Sequence, residues 1–220
     1  MKKPLLTTLA VVCLLVIIGV IGYATRAVEI YTISTTSNQP TLKNGAFVVA
    51  SRFKTPNRGN FIAFEKDKYF WLFRCIAKGG DVIEIKNAVV YVNGKLLTEP
   101  YTMKEYHITT KEVAAIADYL IKNNITAKEI YYGASLITLS DDEFKKLNKD
   151  LKPFAKIKAA RADENLFPPF SKKGYNEDNI GPLKVPANSY FVLGDDRHNA
   201  FDSRYFGFVK ANEVISTVLF

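Results

Sequence analysis

The sequence predicts a mostly β protein, α+β overall. An antiparallel β-core follows one N-terminal transmembrane helix and is interrupted by a mixed α/β insertion. Three observations carry this. Residues 5–23 are apolar apart from Thr7 and Thr8 and carry no charge. Residues 31–97 alternate short β-prone runs with turn formers. From Thr109 the apolar spacing changes from that of a strand to that of a helix. At 220 residues the chain fits one or two domains. The expected layout is a cytoplasmic N-terminus at 1–4, an anchor at 5–25, a β-rich core at 29–104 and 180–220, and the insertion at 105–179.

The anchor comes first. About 20 apolar residues span a bilayer core as a helix, and a helix satisfies its own backbone there. Lys2 and Lys3 precede the run, which places the N-terminus in the cytoplasm by the positive-inside rule and the rest of the chain on the outer face. A cleavable signal peptide is the competing reading. The run exceeds the usual apolar stretch of about 7–15 residues. Gly22-Tyr23-Ala24 and Thr25-Arg26-Ala27 make poor cleavage sites.

The core strands follow. Residues 46–50, 61–64, 69–76, 82–85 and 88–92 are β-prone, with Asn44-Gly45, residues 56–60 and Gly79-Gly80-Asp81 between them. Asn93-Gly94 is a two-residue hairpin signal. The pattern predicts an antiparallel meander. In the insertion, Thr109-Thr110-Lys111-Glu112 reads as a capping box. Val113, Ile116, Ala117 and Leu120 then share one helical face, and Asn123-Asn124 ends the helix. Ser140 opens a second helix carrying Phe144 and Leu147. Phe167-Pro168-Pro169-Phe170 reads as a rigid connector, Gly181-Pro182 returns the chain to the core, and residues 190–193 form a last strand.

Composition excludes several classes. The formal charge is +8, and Lys2, Lys3 and Arg26 around the anchor supply three of it. No run of five Lys/Arg occurs, so the excess is a solvated face and no nucleic-acid partner is expected. Cys13 lies in the apolar run and Cys75 in a strand, so no disulfide is expected. The only histidines are His107 and His198, so neither a metal site nor a cofactor is expected.

Two segments carry the chemistry. One is Thr35-Thr36-Ser37-Asn38-Gln39-Pro40-Thr41-Leu42. The other is Gly194-Asp195-Asp196-Arg197-His198-Asn199-Ala200-Phe201-Asp202-Ser203-Arg204. A serine nucleophile needs a base, an oxyanion site and a stiff local backbone, and Pro40 stiffens the turn behind Ser37. Either segment alone is an ordinary polar loop. Their order is informative: an anchor, Ser-x-x-Pro-Thr-Leu, Arg74, Gly80-Asp81, an insertion, then Gly-Asp-x-Arg-x-Asn-x-x-Asp-Ser-Arg.

This arrangement resembles the sequence boxes of signal peptidase I, membrane-bound serine proteases that trim exported proteins with a Ser–Lys dyad. The resemblance covers the anchor and the β-core and implies a signal-peptidase-like fold. It implies that Ser37 is the nucleophile. The Ser37 N–H and the Thr35 hydroxyl would be the oxyanion donors. Arg74, Asp195, Asp202, Ser203 and Arg204 would be the scaffold, with Gly194 in the turn that presents it. The family's lysine falls at Phe73, and the serine that hydrogen-bonds it falls at Ala200. Asn38 and Gly79 also depart from the usual pattern. The base is therefore unassigned, with His198 and Lys78 as the remaining candidates. The implied substrates are signal peptides of exported preproteins, with small residues in an Ala-x-Ala pattern. Membrane lipid is an implied partner. The alternative is an inactive relative that binds signal peptides or assists an active signal peptidase, with an active paralogue or the export machinery as partner.

Overall fold

A computed structural model describes residues 3–24, 27–131, 133–151, 156–157, 166–171 and 173–220. The apolar run forms α1 (Lys3–Ala24). Its large apolar side chains between Leu9 and Ile21 are each more than half exposed. Its described side chains run from Thr7 to Gly22. Among the described residues no helix is long and apolar enough to cross a membrane. Lys2 and Arg26, which flank the run, lie outside the described residues.

The strands β1 (Glu29–Thr32), β2 (Phe47–Ser51), β3 (Phe61–Lys66), β4 (Tyr69–Lys78), β5 (Val82–Lys86), β6 (Val89–Val92) and β7 (Lys95–Leu96) follow. The insertion contributes β8 (Met103–Thr109), α2 (Thr110–Ala115), α3 (Ala117–Lys122), β9 (Lys128–Tyr131), β10 (Ala134–Ser140), α4 (Asp141–Leu151), β11 (Lys156–Ile157) and α5 (Pro168–Ser171). The chain closes with β12 (Ile180–Lys184), β13 (Ser189–Leu193), α6 (Ser203–Phe206), β14 (Val209–Lys210) and β15 (Val214–Val218).

All strand pairs are antiparallel. A seven-stranded sheet has the order β1-β2-β15-β3-β4-β13-β14, and β12-β5-β6-β7 makes a four-stranded sheet. The meander is therefore not continuous, because the C-terminal strand β15 lies between β2 and β3. The loop between β2 and β3 is long enough to leave that gap, and β15 covers two edges that would otherwise be unpaired. Tight turns join the consecutive strands. Asp67-Lys68, Asn87-Ala88 and Asn93-Gly94 all have positive φ at both residues, the twist that suits a two-residue hairpin.

The two core sheets bury Ile76, Ile83, Val90, Leu183, Phe191 and Leu193 between them. On the same face of the large sheet Ile33, Leu42, Val48, Phe61 and Val218 form a second cluster, and the opposite face holds Ile62, Phe64, Phe73, Cys75 and Val192. The insertion has its own sheet, β11-β8-β10-β9. Its core joins Tyr106, Ile108, Ile137 and Leu139 of the strands to Ile116, Leu120 and Leu147 of the helices.

Local signals in the insertion play out with two corrections. Thr109 and Glu112 form the expected capping box, and Ser140 with Glu143 forms another. The expected single helix breaks into α2 and α3 at Ile116, whose ψ of 13° leaves the helical range. Ile116 is there drawn into the insertion core. The expected rigid connector 167–170 is instead helical at its end, in α5, and Phe170 is buried against the main core.

Candidate active site

Ser37 sits in a turn that follows β1. Gln39 N–H donates to Thr36 O at 2.9 Å, and Leu42 N–H to Asn38 O at 2.9 Å. The first bond closes the turn and the second anchors Leu42 in the core. Ser37 is half-buried and lines a cleft of about 100 Å³, whose other walls include Ile33, Thr35, Asn38, Leu72 and Phe73. Thr35 is exposed at its rim. No described side chain hydrogen-bonds to the Ser37 hydroxyl.

The second motif closes beneath this turn. Asp196 N–H donates to Ser37 O at 3.1 Å, and Asn199 Nδ2 donates to Thr36 Oγ1 at 2.8 Å. Gly194 is where the segments touch. A Cβ there would lie 2.6 Å from Ser37 O, 2.4 Å from Ala200 Cβ and 3.3 Å from the Phe73 ring. Only glycine fits so close an approach. Ser37, Phe73 and Ala200 thus converge on one residue, although they come from three separate parts of the chain.

The scaffold is a set of buried ion pairs. Arg74 grips Asp195 through Nε (2.8 Å) and Nη2 (2.6 Å). It also donates to Gly59 O at 2.8 Å and to Thr41 Oγ1 at 3.1 Å. Thr41 in turn donates to Asp195 at 2.5 Å. The guanidinium is stacked between the rings of Phe61 and Tyr101, 4.2 and 3.8 Å from their centroids. Such a bidentate, stacked arginine fixes geometry as well as charge. It ties the Ser37 turn to the second motif.

Asp202 does the same work inside the motif. It accepts from Arg204 Nε (2.8 Å) and Nη2 (2.9 Å), from Arg204 N–H (3.1 Å) and from Gly194 N–H (3.0 Å). Burial works against the Arg204 charge, but Asp202 outweighs it and the guanidinium pKa is raised. Ser203 Oγ accepts from Val192 N–H at 2.9 Å. Arg197 is buried, donates to Glu99 and donates to Gly194 O at 3.0 Å. Asp81 braces the β4–β5 turn by accepting from Arg58, Lys78 N–H and Asn93. Burial raises its pKa, yet these bonds prevail and hold it at about 2.

The end of the site where the base is expected is apolar. Phe73 is buried, stacked on Trp71 at 5.9 Å and packed near Phe64 and Phe206. Ala200 packs in the same cluster. Lys78 lies at the far end of β4 and donates to Asn57 Oδ1 at 3.2 Å on the surface. His198 is enclosed elsewhere. Its Nδ1 accepts from Glu105 N–H at 2.9 Å, so Nε2 carries the proton and faces Asp178 at 3.0 Å. Both ring nitrogens are occupied away from Ser37. Neither candidate base is brought to the nucleophile.

Among the described residues, two buried side-chain oxygens near Ser37 have no hydrogen-bond partner. Asn38 Nδ2 donates to Leu72 O at 2.6 Å, while its buried Oδ1 has none. Asp196 Oδ1 is likewise buried and unpartnered. Burial raises the Asp196 pKa to about 6, against the Asn199 hydrogen bond. The sequence does not single out Glu99, Tyr101 or Asp178. Each lies in or beside the insertion with no local pattern marking it as a partner of Arg197, Arg74 or His198.

Known proteins resemble this chain along most of its length. A family model described as signal peptidase, peptidase S26, matches residues 5–220. Signal peptidase IB of Staphylococcus aureus (strain Mu50 / ATCC 700699) is 28% identical over 100% of this chain and 90% of its own length. Signal peptidase I of Aquifex aeolicus is 26% identical over 91% of this chain and 77% of its own. That of Bacillus caldolyticus is 27% identical over 86% and 76%. A crystal structure of a signal peptidase I from Enterococcus faecalis V583 aligns at 27% identity over 76% of this chain and 98% of that one, with a TM-score of 0.36, too low to argue from.

Proposed function

The chain belongs to the signal peptidase family, peptidase S26, and from that premise we propose that it removes signal peptides from exported preproteins with Ser37 as nucleophile. The observation that carries this is the convergence of Ser37, Phe73 and Ala200 around Gly194, held by the Arg74–Asp195 brace. In the proposed reaction Ser37 Oγ attacks the scissile carbonyl carbon. The Ser37 N–H and the Thr35 hydroxyl hold the oxygen as it becomes negative. The scissile C–N bond then breaks, the C-terminal part departs as an amine that takes its proton from water, and the N-terminal part stays on Ser37 as an ester that a second water hydrolyses.

Phe73 accepts no proton, and Lys78 and His198 are engaged elsewhere. The hydroxyl proton therefore leaves to solvent in the cleft. This route forgoes the roughly 10²–10⁴-fold that a positioned base contributes, so the protein is a slow peptidase. Relatives named signal peptidase I favour this over an inactive relative. Cleavage of an Ala-x-Ala signal-peptide substrate by the purified full chain, abolished by Ser37→Ala, tests it. Cleavage that survives Ser37→Ala rejects the assignment.

We further propose that α1 anchors the chain, with the catalytic part on the outer face. Supporting this are the uncharged run at 5–23 behind Lys2 and Lys3 and the exposure of its apolar side chains. Protease added to spheroplasts is expected to digest the region after α1. Full protection would overturn the orientation.

A further inference from the structure

We propose that an aromatic slot beside the Ser37 cleft is a subsite for one large apolar or aromatic side chain of the peptide substrate. The proposal rests on the signal-peptidase reading above and names a feature of the substrate that the small-residue pattern leaves open.

The slot encloses about 250 Å³ and is lined by Lys66, Asp67, Tyr69, Trp71, Phe201 and Phe206. Three rings form its base: Trp71 lies 5.9 Å from Phe201 and 5.8 Å from Phe206, and Phe201 lies 6.1 Å from Phe206. Tyr69 extends the wall, 6.1 Å from Trp71. Such spacings are those of aromatic rings in contact. The rings are nevertheless left open to solvent, with Tyr69 67% and Phe201 50% exposed. Large aromatics grouped and exposed in this way mark a binding surface.

Three features select the occupant. The first is continuity. Trp71 lines both this slot and the Ser37 cleft, and Phe201 directly follows Ala200, which packs under Gly194. A peptide lying beside Ser37 reaches the slot without leaving the surface. The second is size. Pockets for whole small molecules begin at about 300 Å³, so this one suits a single side chain. The third is charge. Lys66 Nζ already lies 6.0 Å above the Phe206 ring, and it donates to Phe208 O at 3.2 Å and pairs with Glu213 at 3.5 Å. Asp67 lines the same slot, so one charge of each sign balances there and neither a cation nor an anion is favoured. A neutral side chain remains. Phe73 belongs to the same array, stacked on Trp71 at 20°. The residue in the family's lysine position thus completes the wall between cleft and slot.

Trp71 is the only tryptophan in the chain, so its emission reports on the slot directly. The full chain in lipid nanodiscs is titrated with signal peptides that keep Ala-x-Ala while a single Phe or Ala is walked through the flanking positions. At one position Phe is expected to tighten Kd about tenfold and shift Trp71 emission to the blue, as burial of one aromatic side chain should. Phe201→Ala is expected to reduce that preference to about threefold or less, and Tyr69→Ala to weaken it; both sites are at the surface. A preference below about twofold at every position overturns the proposal. So does an equal shift from anionic phospholipid vesicles without peptide, which would make the occupant an acyl chain. Cleavage of the same peptides separates the two claims. Phe-dependent binding without cleavage supports the slot and sinks the peptidase reading, while cleavage with no Phe preference sinks the slot alone.

Discussion

The two ends of the candidate site are built in opposite ways. The bracing end is ionic, buried and fully bonded: Arg74 with Asp195, Arg204 with Asp202, and Arg197 with Glu99. The reacting end is apolar where chemistry is expected, at Phe73 and Ala200, and leaves buried oxygens of Asn38 and Asp196 unpartnered. The difference is one of replaceability. Removing one member of a buried ion pair strands the other in a medium of low dielectric. A lysine and its serine partner can instead be exchanged together for apolar groups that fill the same space, at little cost to the fold. The brace is thus tied to stability, and the base only to rate.

If so, the brace should respond to substitution far more than the rest of the site. Asp202→Ala strands Arg204, which is 1% exposed, and frees Gly194 N–H. A loss of about 3–5 kcal/mol is expected, read as a fall of roughly 10 °C in the melting temperature. An unchanged melting temperature would break the comparison at its stronger side.

The smaller effect lies at the other end and has the opposite sign. Asp196 has a folded pKa of about 6, above the ordinary carboxylate value. The folded state therefore holds the proton more tightly than the unfolded chain, and stability falls as pH rises through about 4 to 6. Asp196→Asn is expected to stabilise by about 1–2 kcal/mol at roughly pH 8 and to do almost nothing at roughly pH 4. Denaturant melts at the two pH values check this. A variant less stable at both would show that the carboxylate is satisfied after all.

The sequence and the structure agree most where the signal is local. Asn93-Gly94 marks its hairpin because both residues accept positive φ. Asp67-Lys68 and Asn87-Ala88 make the same turn without the signature. There the flanking strand pairs impose a conformation that Lys68 and Ala88 do not favour. Thr109 and Glu112 announce their cap because both partners lie within one turn of helix. The break at Ile116 is not announced, since tertiary packing decides it. In the site, Ser37, Arg74, Asp195, Asp202 and Arg204 are legible through their order along the chain. Glu99 and Asp178 are not, because their partners are far away in sequence and any acidic residue would look the same. Nor was Asp195 distinguishable as the partner of Arg74, since Asp202 lies in the same short motif.

On the proposed reading, the backbone still holds the geometry for catalysis while the base is gone. Phe73→Lys restores an amine beside Ser37, and Ala200→Ser restores the hydroxyl that orients it. Neither alone should suffice, because a lone lysine stays protonated and mobile and a lone serine has nothing to orient. The direct measurement is the rate of Ala-x-Ala signal-peptide cleavage by the full chain, its two single variants and the double variant. The double variant is expected to be faster than the parent by at least about tenfold, a modest share of what a positioned base contributes, and to lose that gain with Ser37→Ala. A parent already as fast as the double variant, and dependent on His198 or Lys78, would contradict the claim by showing that another base serves Ser37.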